Sequence, residues 1–108
     1  MTKFIVLYSS SVSTEEQMQR SPEDNDAEMK RWMDWSVAAG PALIDFGMPL
    51  GNGRTVSATG VTESNFPANG YSIVEAENID AATALFASHP HLDTGTIEVH
   101  EAYPIPGM

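Results

Sequence analysis

Cysteine is absent from the chain. That absence excludes a disulfide framework, a thiolate nucleophile, a zinc finger and an iron–sulfur site, so the fold rests on packing alone and a reducing cytoplasm is the compartment that fits. Basic residues are scarce and stop early. Through Arg54 the chain holds all five of its Lys and Arg beside eight acids, and from Thr55 onward seven acids stand with no Lys or Arg, for a formal net charge of −10. Nucleic acid and anionic membrane surfaces recruit proteins through Lys and Arg, so neither is expected as a partner. An anionic ligand in the second half would depend on backbone N–H groups, a helix N-terminus or protonated histidine. All three histidines, His89, His91 and His100, lie there. No apolar run nears the ~20 residues of a membrane helix, and Met1-Thr2-Lys3 leads into a strand-like segment rather than a signal peptide. What remains is a chain of 108 residues with 42% hydrophobic content, enough for a single domain with its own core.

The pattern of apolar residues orders that domain. Lys3 to Tyr8 is a continuous β-branched and aromatic run that reads as a central strand buried on both faces. Ser13-Thr14-Glu15-Glu16 has the spacing of a capping box and predicts a short helix through Arg20 that carries Met18 inward. Ser21-Pro22-Glu23-Asp24 opens a longer helix, with Ser21 as cap and Pro22 at the first helical position, where a missing N–H costs nothing. In it Met29, Trp32, Met33, Ser36, Val37 and Gly40 form one stripe at helical spacing, and Gly40-Pro41 closes it.

Ala42 to Leu50 and Arg54 to Val61 read as two strands of a hairpin turning at Asn52-Gly53, a pair suited to positive φ, with Thr62 to Asn69 as a loop. Gly70 to Ala76 is a further strand. Asn78 caps a helix with Ala81, Ala82, Leu85 and Phe86 on one face, and His89-Pro90 stops it. Thr96 to Tyr103 alternates with period two as the last strand. The order strand, helix, strand, strand, strand, helix, strand predicts a ferredoxin-like α+β domain, βαββ(β)αβ, with an antiparallel sheet and helices on one face. The bare sheet face then calls for a partner, and a second copy of the chain stacked sheet to sheet in a dimeric α/β barrel is the simplest one.

Few residues carry chemistry. Gly47, Gly51 and Gly53 lack the spacing of a dinucleotide or phosphate loop and read as turn residues, and no Gly-x-Ser-x-Gly elbow occurs. His89-Pro90-His91-Leu92-Asp93 is the densest polar cluster; in an extended segment His89, His91 and Asp93 would project to one side. That suits acid–base work by an imidazole, metal ligation, or simple hydrogen bonding of helix C-terminal carbonyls by His89. Trp32 belongs to the core stripe, while Trp35 lies beside it with Arg31 and Ala38, where it could line a cavity or a dimer seam. Asp45 and Glu75 interrupt apolar strands, Arg54 is the nearest base to pair with Asp45 across the hairpin, and Glu98 and His100 share one strand face.

With these elements placed, Phe4-Ile5-Val6-Leu7-Tyr8, Gly47-Met48-Pro49-Leu50, Gly70-Tyr71-Ser72-Ile73-Val74-Glu75-Ala76-Glu77, Ala81-Ala82, His89-Pro90-His91 and Ile97-Glu98-Val99 resemble the YCII-related family over nearly the whole chain. The resemblance implies a ferredoxin-like dimeric α/β barrel and a proposed catalytic His–Asp pair, the His from the first long helix and the Asp from an Asp-Pro step after the second. Here no histidine occurs between Glu23 and Gly40, and His89-Pro90 stands where Asp-Pro is expected. A related branch carries Asp-Gly-Pro-Phe before the third main strand, whereas this chain reads Glu63-Ser64-Asn65-Phe66-Pro67-Ala68.

The combined expectation is a homodimeric YCII-like domain spanning residues 1–108 with a small-molecule pocket and cofactor-independent acid–base chemistry, isomerisation or elimination, on a small cyclic substrate. His91 would be the acid or base, His89 would orient it or share the proton, and Asp45 or Glu75 would stabilise an imidazolium. Trp32 and Trp35 would form the apolar wall, with Arg54 and His100 as further ligand contacts. The alternative is a non-catalytic ligand-binding or interaction protein whose histidines are structural.

Overall fold

A computed structural model describes residues 1–107. Strand β1 (Thr2–Ser10) runs into helix α1 (Thr14–Met18), capped by the Ser13 side chain, which accepts from Glu16 N at 3.1 Å. Helix α2 (Pro22–Ala39) is capped by Ser21, which accepts from Asp24 N, and ends at Gly40, whose φ of +59° turns the chain away. Then follow β2 (Leu43–Asp45), the hairpin strands β3 (Arg54–Ser57) and β4 (Gly60–Glu63), β5 (Ala68–Ala76), and α3 (Ile79–Ala84), capped by Asn78. A 3₁₀ turn at Pro90–Asp93 leads into β6 (Gly95–Glu101).

Four strands form one sheet in the order β2-β5-β1-β6, every neighbouring pair antiparallel. This is an α+β architecture consistent with the expected ferredoxin-like arrangement. The alternation of β1 explains the layering: Phe4, Val6 and Tyr8 are buried under the helices with Val74 and Ala76 of β5, Ala82 and Phe86 of the α3 segment, and Trp35 of α2. Each of the larger apolar side chains among these, such as Phe4, Val6, Val74 and Phe86, contributes on the order of 1.5–3 kcal/mol by leaving water.

Ile5 and Leu7 point to the opposite face beside Tyr71 and Ile73, and nothing within the chain covers them. They are only half-buried, so the expected burial of β1 on both faces is not met within a single chain. The molecule measures 47 × 44 × 17 Å, and its 17 Å thickness is that of one sheet and one helical layer.

Three expectations are corrected. The hairpin turns at Ala58-Thr59 rather than Asn52-Gly53, because the stretch Arg54 to Val61, read as one strand, folds back on itself: Arg54–Ser57 pairs with Gly60–Glu63, whose last two residues were expected in the loop. Asn52 does take a positive φ of 52°, but it serves the bend where the chain leaves the body, its N–H donating to Glu15 Oε1 at 3.0 Å. The strand expected over Ala42 to Leu50 stops at Asp45: Gly47, at φ +85°, packs so closely on the Tyr71 carbonyl that no Cβ fits, and only Pro49 rejoins β5, opposite Gly70.

The third correction concerns α2. Its inward stripe is Asn25, Glu28, Trp32, Trp35 and Ala39, while Met29, Met33 and Val37 are exposed. The Trp35 indole supplies the reason: its Nε1 donates to Leu85 O at 2.8 Å and its ring lies 5.1 Å from Phe86, which fixes the rotation of the helix.

Candidate functional site

His89 and His91 enter the fold through one tight turn. Pro90–Asp93 is helical rather than extended, so the expected convergence of His89, His91 and Asp93 does not occur; Asp93 swings outward onto Arg31. Both imidazoles go inward and are 2% and 3% exposed. The His91 N–H donates to His89 Nδ1 at 3.0 Å, so His89 caps this turn as a Ser or Asp would.

That bond fixes the chemistry of His89. With Nδ1 accepting, the neutral ring carries its proton on Nε2, the only fully enclosed side-chain polar atom without a partner among the described residues. Around it stand Trp32 at 4.3 Å and 90°, Trp35 at 4.5 Å and 66°, and Tyr8 stacked at 5.1 Å. A neutral imidazole packs among these rings, whereas an imidazolium in the same box would be desolvated. Burial, and then the neighbouring His91, lower the His89 pKa to about 4. His89 is therefore a structural element that positions His91.

His91 is held differently. Its Nε2 lies 2.8 Å from the Ser9 carbonyl, which can only accept, so Nε2 carries the proton and Nδ1 carries the lone pair. Gly95 makes room for this bond, since a Cβ there would collide with Ser9 O and come within 2.7 Å of His91 Nε2. Nδ1 has no protein partner and is not among the fully enclosed orphan atoms, so it keeps an opening. The opening available to it is a cavity of about 310 Å³ that His91 lines.

This cavity lies between α1, α2 and the ends of β1 and β5. Tyr8, Trp32 and His91 line it together with Phe46, Met18, Met29 and Met48, and Glu28 faces it in an ion pair with Arg20 at 2.8 Å. Tyr8 Oη donates to Ser72 Oγ at 2.8 Å, and Ser72 Oγ donates to Phe46 O at 2.6 Å. Burial outweighs the Ser72 hydrogen bond and pushes the Tyr8 pKa up to about 12.

The other candidate residues lie elsewhere. Asp45 accepts from Gly47 N at 2.9 Å and from Tyr71 Oη at 3.4 Å. Glu75 is opposite Lys3 on the uncovered sheet face, where His100 Nε2 also meets Glu98 Oε1 at 2.8 Å. Arg54 folds back on Asn52 and Gly53 at the base of the hairpin and stands opposite Glu63, not Asp45. Trp35 is core. Of the sequence candidates, the cavity gathers His91 and Trp32, with His89 behind them. Among the described residues no group of three His, Cys, Asp or Glu is placed to hold a metal ion, and no helix is long and apolar enough to cross a membrane.

Sequence reasoning missed Tyr8 and Glu28 as site residues. Both carried a signal: Tyr8 ends the Phe4-Val6-Tyr8 alternation next to the polar strand end, and Glu28 lies one helical turn before Trp32. Asn69 and Met48 carried none.

The two histidine environments make a pH prediction. In the unfolded chain His89 takes a proton near pH 6.5, in the folded chain only near pH 4, so its contribution is complete above 6.5 and is lost as pH falls through that window. Wild-type unfolding free energy, measured by urea titration, should fall between pH 7 and 5 by about 2 kcal/mol more than that of His89→Leu. Equal slopes would mean that His89 is not held neutral. Compared with models of known protein families and with curated proteins, the chain matches none.

Proposed function

We propose that the chain is a YCII-like protein of the dimeric α/β barrel type that binds a small cyclic molecule in the His91 cavity and transfers a proton on it without a cofactor. One observation carries this reading: His91 Nε2–H is pinned to Ser9 O, Nδ1 has no protein partner, and the residue lines a largely apolar cavity. A neutral imidazole so held is an oriented base, and it returns the proton from the same nitrogen in an isomerisation. Tyr8, Trp32 and Phe46 supply apolar wall. Asp45 and Glu75 take no part in this reading, since neither lines the cavity. The lack of a carboxylate beside His91 favours the second reading, a binding protein with the same cavity and no turnover.

A panel of small cyclic enolisable ketones and of aromatic enols such as 2-naphthol, in deuterated water, separates the two. Proton transfer by His91 appears as enzyme-dependent carbon deuteration of at least one compound, falling about 100-fold or more in His91→Gln. Deuteration unaffected by that substitution, or none across compounds shown to bind, contradicts the catalytic reading and leaves the binding one.

The uncovered sheet face supports the homodimer. A self-contained monomer of 11.7 kDa exposes about 5,900 Å², whereas this chain exposes 7414 Å². The excess of about 1,500 Å² exceeds the ~800 Å² that each partner buries in a standard interface. Ile5, Leu7, Tyr71 and Ile73 form its apolar centre. Sedimentation at micromolar concentration should give a dimer, and Ile73→Asp a folded monomer; a monomeric wild type would contradict this interface.

A further inference from the structure

The polar groups around the cavity restrict what it can hold. Glu28 is neutralised by Arg20 at 2.8 Å, and Tyr8 Oη is committed to Ser72. Both ends of the Asn69 amide are spent on Ser10 and Val12 O, and the NH2 groups of Gln17 and Asn25 on Ser10, Val12 O and Arg20 O, so these two offer a ligand only their acceptor oxygens. His91 Nδ1 is left as an acceptor, so a ligand meeting it has to donate a hydrogen bond.

Charge narrows the class further. No cation without a carboxylate partner lines the cavity among the described residues, and the chain carries a net charge of −10, so an anionic ligand would enter against repulsion and find no counter-charge. The remaining wall is apolar and of a particular kind. Met18, Met29 and Met48 line the cavity with Trp32, and thioethers adapt their shape to flat rings and contact ring edges favourably. About 310 Å³ is at the small end of ligand sites, which suits one or two fused rings.

We infer that the cavity takes an uncharged, flat aromatic alcohol of one or two rings, its hydroxyl donating to His91 Nδ1 and its ring packed among the methionine thioethers and Trp32. This rests on His91 being the polar anchor of the site and adds the chemical class of the ligand.

Titration calorimetry of the wild-type protein with four probes tests it: 2-naphthol, its methyl ether, its saturated counterpart decahydro-2-naphthol, and 2-naphthoate. The expected result is that 2-naphthol binds about tenfold more tightly than the ether, which cannot donate, and more tightly than the saturated alcohol and the carboxylate. In His91→Leu the preference over the ether should vanish while ring binding persists. A saturated alcohol that binds as tightly as 2-naphthol, with the hydroxyl preference intact, overturns the aromatic class and spares His91 as anchor. Naphthol and ether binding alike to wild type, a stronger carboxylate, or no binding by any probe overturns the inference, and the first of these also removes His91 as anchor. The wild-type comparison decides the matter even where the variant fails to fold.

Discussion

The hydrogen bond from the His91 N–H to His89 Nδ1 is the constraint on which the rest of the site depends. It closes the 3₁₀ turn and leaves the His89 proton no position but Nε2, enclosed with the rest of the ring in a box of aromatic side chains. Trp32, Trp35 and Tyr8 supply the box, and Trp35 in turn sets the rotation of α2 through its bond to Leu85 O. The same turn aims the second imidazole at β1, where Ser9 O orients it. Two histidines two residues apart thus do opposite things: one is a buried brace, the other a side chain with a free lone pair at a cavity.

The helical layer explains one side of the sheet and leaves the other bare. A sheet of four strands with Phe4, Val6 and Val74 fully buried beneath the helices has its second row, Ile5, Leu7 and Ile73, half-buried by strand neighbours alone. The hairpin β3–β4 adds to this open character: all eight of its residues are exposed, Val56 and Val61 included. An isolated two-stranded hairpin is marginally stable in water, which makes the arm and the bare sheet parts of one unfinished surface.

Local chemistry made most elements legible from the sequence. Ser13, Ser21 and Asn78 are caps in both readings, because the cap bond is decided within four residues. The β1 alternation and the central place of that strand follow from its apolar run. What misled the reading was long-range competition. Met29, Met33 and Val37 fit an amphipathic stripe as well as the true inward face does, and only the contact of Trp35 with Leu85 and Phe86 chooses between them. Asn52-Gly53 has hairpin chemistry, but Glu15 claims Asn52 from another element and the turn moves to Ala58-Thr59. At the site, His91 and Trp32 were visible as residue types. That Asp45, Glu75, Arg54 and His100 stand apart from them depends on strand register and on the bulge beside Asp45, neither of which the sequence pattern encodes.

The tautomer of His91 is the feature on which the chemistry of the cavity depends most directly. Long-range proton–nitrogen correlation of the imidazole rings at pH 7.5 reads it without a ligand. The arrangement described predicts for His91 a protonated Nε2 and a lone-pair-bearing Nδ1, and for His89 the same tautomer with Nδ1 showing the shift of a hydrogen-bond acceptor. A His91 ring protonated on Nδ1 would mean that Ser9 does not orient it and that the cavity is faced by a donor, which would contradict the account at its centre.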